Sequence, residues 1–288
     1  MSSEMQNRVV LVTGATNGIG LESAKVLAGM GATIVGVGRN PQKCTGAAAS
    51  IASTTGNSKV EFLVADLSVQ TQVRKLAETF KQKYQRLDVL LNNAGAFFAR
   101  REESTEGVEM TWALNHLNYF LLTDLLLDVL KASAPARIVN VSSDAHTRAK
   151  QINFDDVEFK KGYSGWTAYG HSKLANIMFT YELARHLAGT RVTANVLHPG
   201  FVATGFGHNN GSLMNFGMGV VQKIAAKRPE QGAQTSVFLA SSPQVDGVTG
   251  KYFVDSRESS SSAASYEVSA QQRLWALSEQ MVAQHVTA

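Results

Sequence analysis

The chain is expected to fold as a single doubly wound α/β domain, residues 1–288, with about seven strands in a parallel sheet. Three observations carry this expectation. Short apolar runs alternate with amphipathic stretches from Arg8 to Gln284, the pattern that winds helices onto both faces of a parallel sheet. The first run feeds a glycine-rich turn, Thr13-Gly14-Ala15-Thr16-Asn17-Gly18-Ile19-Gly20. Two later runs end in small or polar residues, Asn92-Asn93-Ala94-Gly95 and Ser142-Ser143, and the carboxyl ends of strands are where open parallel sheets bind ligands.

Taken in order, Arg8 to Val12 is the first strand. The helix after the glycine turn has Leu21, Ala24, Leu27 and Ala28 on its inner face. Gly14 permits the tight turn, Gly18 lets the backbone approach a ligand, and Gly20 lets helix and strand pack closely. The helix N-terminus offers N–H donors to a pyrophosphate. Thr33 to Gly38 is the second strand. Its end carries Gly38 and Arg39 where a cofactor with a free ribose 2′-hydroxyl usually meets a carboxylate. A guanidinium suits a 2′-phosphate instead, so NADP(H) is preferred over NAD(H); otherwise Arg39 is a solvated loop residue.

Pro41 to Ser53 reads as a helix and Val60 to Ala65 as the third strand. Asp66 then either accepts a hydrogen bond from an adenine amino group or caps the next helix, Val69 to Tyr84. Asp88 to Leu91 is the fourth strand. Thr105 to Lys131 reads as one long helical stretch that holds Asn115 in an apolar setting, where an amide needs partners. Ala136 to Val141 and Arg191 to Leu197 are the fifth and sixth strands, the latter ending in His198-Pro199-Gly200. Residues 201–228 form a long irregular segment of the kind that makes lids. Pro229 to Ala240 is a helix with Pro229 in its first turn. Lys251 to Val254 is a seventh strand, Ser-rich residues 255–265 read as a mobile linker, and Val268 to Gln284 is a terminal amphipathic helix.

Composition narrows the function. Hydrophobic residues make up 44% and charged residues 17% of the chain, as in a globular domain with a substantial core. The net charge of +4 is not gathered into a basic run, so no nucleic-acid partner is expected. Cys44 is the only cysteine, which suits a reducing compartment. The polar start, Met1 to Gln6, has no apolar leader. The most apolar stretch, Phe120 to Leu130, is too short and too charged to span a bilayer. A cytoplasmic protein with no integral membrane segment is expected. His146, His171 and His198 lack metal-ligand spacing, and no metal is expected.

Tyr169 and Lys173 lie four apart at the start of a helix running to about Gly189, hence on one face. A neighbouring cation lowers a phenol's pKa, which makes Tyr169 a candidate general acid or base. The glycine turn, the Asn92 to Gly95 run, the serine pair and the Tyr-Lys helix occur here in the order that resembles the short-chain dehydrogenase/reductase superfamily. Ile138 to Ser143, Tyr169 to Asn176, His198-Pro199-Gly200 and Arg273-Leu274-Trp275 with Ser278 resemble its retinol dehydrogenase-like branch. Membrane-bound members of that branch carry an N-terminal anchor, which is not seen here.

The resemblance implies a Rossmann-type fold and an NADP(H)-dependent oxidoreductase interconverting a carbonyl and an alcohol on a small apolar substrate. By the same resemblance Tyr169 is the general acid in carbonyl reduction, and Lys173 lowers its pKa and holds the nicotinamide ribose. Ser143 hydrogen-bonds the substrate oxygen, and Asn115 anchors a water in a proton relay. The implied cofactor site comprises Gly14, Thr16, Asn17, Gly18, Ile19 and Gly20 at the turn, then Arg39, Asn40, Asp66 and Leu67. It continues through Asn93, Ala94 and Gly95 to Tyr169 and Lys173, and closes with Pro199, Gly200, Val202 and Thr204. Phe97, Phe98, Trp166, Phe201, Phe206, Met214 and Phe216 offer an apolar pocket or ordinary packing. The helices holding Asn115 and Tyr169 are expected to pack across a two-fold axis in a homodimer or homotetramer. Two other readings stand beside this one: a carbon–carbon double-bond reductase related to protochlorophyllide reductases, and a non-catalytic dinucleotide-binding sensor.

Overall fold

The computed structural model describes residues 5–200 and 228–283. Among these, eight strands form one sheet: β1 (Val9–Thr13), β2 (Thr33–Gly38), β3 (Val60–Val64), β4 (Val89–Asn92), β5 (Ala136–Val141), β6 (Val192–His198), β7 (Tyr252–Val254) and β8 (Arg257–Ser259). Their order across the sheet is β3-β2-β1-β4-β5-β6-β7-β8. All pairs are parallel except β7 with β8. Val10, Leu11 and Val12 of β1 are wholly buried, as a strand covered on both faces requires. The chain winds outward from β1 to β3, then returns to place β4 on the other side of β1. The crevice at that reversal is where a doubly wound sheet takes its ligand.

The helices are α1 (Gly18–Gly29), α2 (Pro41–Thr55), α3 (Gln70–Lys83), α4 (Asn118–Ala132), α5 (Gly165–His186), α6 (Pro229–Ser241) and α7 (Val268–Ala283). The long helix expected from Thr105 begins instead at Met110. Buried Glu109 caps it by accepting from the amides of Thr111 (2.8 Å) and Trp112 (2.7 Å). A π-helical turn, Ala113–Leu117, interrupts it before α4. Such turns add a residue to the helix and re-aim its side chains, and here the added turn holds Asn115. Helix α5 starts one turn earlier than expected, so Tyr169 lies in its second turn.

The serine-rich segment departs from its expectation as a mobile linker. Asp255 and Ser256 have φ of 49° and 60°. Two consecutive left-handed residues make the tight hairpin turn whose twist suits paired strands. Residues 257–259 therefore fold back as β8, so that the sheet has eight strands where about seven were expected, and Ala263–Tyr266 forms a 3₁₀ turn. Residues 201–227, including most of the expected lid and its Val202, Thr204, Phe201, Phe206, Met214 and Phe216, lie outside the described residues.

Helix α7 covers the surface formed by α4 and α5. Trp275 meets Phe120 edge-on (centroids 5.0 Å apart) and stacks on Phe179 (5.8 Å) and His186 (4.1 Å). Leu274 is buried beneath it, and Ser278 lies 2.9 Å from the buried His116 Nε2. Among the described residues no large hydrophobic side chain of α4 is exposed, and on α5 only Trp166 is. Part of the apolar face that suggested a two-fold contact is thus covered by α7, while Leu125, Leu127 and Val129 of α4 remain half-buried. No helix among the described residues is long and apolar enough to cross a membrane. Leu274→Ala should cost about 2–5 kcal/mol of stability, as other buried leucine truncations do. Urea unfolding of the variant beside the parent measures it, and an unchanged midpoint would contradict this packing of α7.

Candidate active site

A single hydroxyl ties together the two loops that flank the crevice. The Thr13 Oγ1 is wholly buried at the end of β1 and accepts from the amides of Asn93 (2.8 Å) and Ala94 (3.0 Å) after β4. Asn93 answers by donating its side-chain amide to the Thr13 carbonyl (2.9 Å). The Asn93 side chain is therefore spent on bracing the glycine turn. Gly14 has φ of 66°, a left-handed conformation open chiefly to glycine. A Cβ on Gly20 would meet the Gly14 carbonyl and lie 2.5 Å from Asn93 Nδ2, so helix and strand pack too closely for any side chain there. Asn92 turns the other way. Its amide donates to Thr123 Oγ1 (3.0 Å) and Asn140 Oδ1 (2.9 Å), and Asn140 donates to Thr180 Oγ1 (2.9 Å), joining β4 and β5 to α4 and α5.

Strand alternation separates the two serines. Ser142 faces α5 and donates to the Lys173 carbonyl at 2.7 Å. Ser143 faces the crevice beside Tyr169, and its hydroxyl accepts from the Ala145 amide at 3.2 Å. The Lys173 Nζ donates to the Val141 carbonyl at 3.0 Å and lies 5.6 Å and 5.7 Å from the ring centroids of Tyr169 and Tyr119. Both Tyr169 and Lys173 are buried. Burial pushes the Lys173 ammonium down to about 7. The expected lowering of the phenol is not what the structure has: burial pushes Tyr169 up, and the Ser143 hydrogen bond opposes this only in part. Desolvation in this dry corner outweighs the attraction of a lysine that is itself easily neutralised.

Asn115 sits beneath this group. Its Oδ1 accepts from the Ala96 amide (2.9 Å), and its Nδ2 donates to the Ala96 carbonyl (3.0 Å) and Ser172 Oγ (3.1 Å). Both amide hydrogens are committed, so the side chain clamps the loop after β4. A Cβ on Gly95 would lie 3.2 Å from that Oδ1 and 3.4 Å from Lys173 Nζ.

One cavity of about 520 Å³ runs over the crevice. Gly14, Thr16, Asn17, Gly18 and Ile19 line one end with Arg39, Asp66 and Leu67; Asn93, Ala94 and Gly95 line the middle; Ser143, Tyr169, Lys173, Pro199 and Gly200 line the other end. Arg39 is exposed. Asn40 caps α2, accepting from the Lys43 amide at 2.9 Å, and like Gly20 and Asn115 it supports the cavity from behind its wall. Asp66 closes a local turn by accepting from the Ser68 amide (3.0 Å) and hydroxyl (2.7 Å). The cap of α3 comes instead from Glu106, which accepts from the amides of Gln70 (2.6 Å) and Thr71 (3.0 Å). Trp166 lines the cavity and packs on Phe97 at 4.7 Å. Phe98 is buried away from it. Thr13 and Tyr119 were missed by sequence reasoning. Thr13 stood in the glycine motif itself, whereas nothing local marks Tyr119.

A family model described as short chain dehydrogenase matches residues 8–214. The chain belongs to the short-chain dehydrogenase family. It is 41% identical to human retinol dehydrogenase 14 over 96% of this chain and 87% of that one. It is 40% identical to human polyprenol dehydrogenase over 96% and 85%, which places it in the retinol dehydrogenase-like branch. Among solved structures, an uncharacterised protein from Mycobacterium paratuberculosis superposes with a TM-score of 0.78 at 30% identity, covering 98% and 97% of the two chains. The Pseudomonas aeruginosa RhlG/NADP complex gives 0.71 at 28%, covering 87% and 95%.

Short-chain dehydrogenases are oxidoreductases that bind a nicotinamide dinucleotide, and this site fits one. Gly14 and Gly20 have no room for a side chain, α1 presents its N-terminus to the cavity, and the buried Lys173 ammonium has a single hydrogen-bond acceptor among the described residues. Among those residues no three His, Cys, Asp or Glu side chains gather as a metal site would require.

Two measurements check this geometry. The unfolded lysine holds its proton to about pH 10.4, whereas folded Lys173 releases it near 7. The unfolded state then binds more protons between those values, so stability rises with pH there. Chemical unfolding from pH 7 to about 8.5 should show this rise in the parent chain and lose it in Lys173→Met; parallel profiles would show that Lys173 is not buried as described. Thr13→Val leaves two buried amides without an acceptor, costing about 1–3 kcal/mol each. Calorimetric titration with the dinucleotide should show weaker binding, and unchanged affinity would mean the pin does not shape the cradle.

Proposed function

We propose that the protein is an NADP(H)-dependent oxidoreductase that interconverts a carbonyl and an alcohol on a small apolar substrate. The observation that carries this reading is the convergence of Ser143, Tyr169 and the buried Lys173 on one cavity. When bound, the nicotinamide supplies or accepts the hydride. Tyr169 donates the proton to the substrate oxygen. A phenol that burial holds protonated suits that role. Ser143 orients the oxygen by a hydrogen bond. Lys173 offers its remaining donors to the ribose and to the proton path, and Asn115 steadies the loop along that path and offers its carbonyl oxygen to a relay water. Trp166 and Phe97 form an apolar wall. The names of the relatives, retinol and polyprenol dehydrogenase, are those of enzymes acting on apolar alcohols.

Tyr169→Phe should abolish NADPH oxidation with aldehydes and ketones while leaving cofactor affinity close to the parent's, because only the hydroxyl is lost. Near-parent turnover by the purified variant would refute the mechanism. A panel that includes enones separates carbonyl reduction from double-bond reduction.

Cofactor choice rests on Arg39. No carboxylate stands at Gly38, and Arg39 lines the cavity without an ion pair among the described residues. A charge-assisted hydrogen bond contributes about 1.5–3 kcal/mol, so NADPH should bind roughly ten- to a hundredfold tighter than NADH. Arg39→Ala should remove most of that margin and leave NADH affinity unchanged. Placing a carboxylate by Gly38→Asp requires Thr16→Ala as well, because a Cβ there would overlap the Thr16 methyl and lie 2.9 Å from Cys44 Sγ. Equal affinities in the parent chain would make Arg39 a solvated loop residue.

A further inference from the structure

His146 is buried at 2% exposure, in the 3₁₀ turn Asp144–Arg148 that follows Ser143. Its ring bridges two parts of the chain. Nδ1 lies 2.7 Å from the Ser143 carbonyl, and Nε2 lies 3.1 Å from the Ser262 amide nitrogen. A carbonyl only accepts and an amide N–H only donates. Nδ1 therefore carries the proton, Nε2 does not, and the imidazole is held in one neutral tautomer by its partners. The Ser262 amide is itself fixed. The Ser262 carbonyl accepts from Ser265 Oγ at 2.6 Å, and Ser261 Oγ is 2.7 Å from the Tyr181 hydroxyl on α5. The Tyr252 ring packs beside the imidazole at 5.3 Å.

We propose that His146 is a positioning residue for Ser143, its tautomer locked by the Ser262 amide, and that the serine-rich segment after β8 thereby sets the geometry of the active site. Ser143 is held in register against Tyr169 at two points. The His146 bond grips its backbone at the carbonyl, while the Ala145 amide steadies the hydroxyl. Without the Ser262 donor, Nε2 is free to take the proton, Nδ1 then turns a lone pair to the Ser143 carbonyl, and the grip is lost. The inference rests on the role given to Ser143 above.

Proline at position 262 tests this by deleting the donor and crowding Nε2, because its ring Cδ stands where the N–H points. Ser262 has φ of −64°, the angle proline imposes, so Ser262→Pro removes the N–H and keeps the turn. His146→Gln presents its amide at the Nε2 position and abandons Ser143. His146→Asn presents an amide donor at the Nδ1 position that cannot change tautomer. Turnover, KM, NADPH affinity and thermal midpoint are measured for each full-length variant. Ser262→Pro and His146→Gln should lower kcat about ten- to a hundredfold, the scale of a misplaced catalytic group, with NADPH affinity unchanged. His146→Asn should restore most of kcat despite a lower midpoint. Parent-like kcat in Ser262→Pro and His146→Gln, with only the midpoint lowered, would overturn the proposal and leave His146 a packing residue. Ser143→Ala is run beside them. If it retained parent turnover, the reading of Ser143 would fall, and the positioning role with it.

Discussion

A lysine enclosed with almost no polar company is the constraint on which this site depends. Lys173 lies in the dry angle between α5, β5 and the loop after β4, with the Val141 carbonyl for a hydrogen bond and two tyrosine rings for walls. Burying an ammonium is costly unless it is paired or neutralised, and its depressed pKa records that cost. The fold accepts the cost because everything around the lysine is fixed from elsewhere. Ser142 holds the Lys173 carbonyl, Asn115 clamps Ala96, and Gly95 leaves room where any side chain would crowd both Asn115 and the ammonium. The outcome is a cation and a phenol one helical turn apart, both largely buried, where electrostatic interactions act strongly.

Much of this was legible from residue order alone. Alternating apolar runs set the parallel sheet, and the glycine turn, the serine pair and the Tyr-Lys spacing located the crevice, because each is a local pattern tied to backbone geometry. What stayed hidden depends on contacts between distant segments. Asn93 and Asn40 read as cofactor-binding residues, and the fold gives each a structural task as well: Asn93 braces the glycine turn while lining the cavity, and Asn40 caps a helix. A short amide beside a backbone turn serves either purpose, and only the fold decides. The π turn at Asn115 leaves no mark in the hydrophobic period, since it adds one residue to an otherwise ordinary helix. The hairpin at Asp255 and Ser256 uses left-handed residues without a glycine, so its composition suggested a linker.

The placement of α7 links chain length to surface chemistry. The faces of α4 and α5 are apolar enough to invite a partner, and the chain supplies part of that cover from its own terminal helix through Leu274 and Trp275. This arrangement also brings Ser261 against α5 and Ser262 against His146. The C-terminal residues thus complete the core and reach the turn that follows Ser143.

The central claim is that Ser143 and Tyr169 act as one unit on the substrate oxygen. A double-variant cycle of Ser143→Ala and Tyr169→Phe, read in kcat/KM for carbonyl reduction, tests it most directly. Residues that act as a unit are strongly non-additive. The account predicts that the double variant loses little more than the more damaged single variant. Losses that simply add would show that the two hydroxyls work independently, and would contradict it.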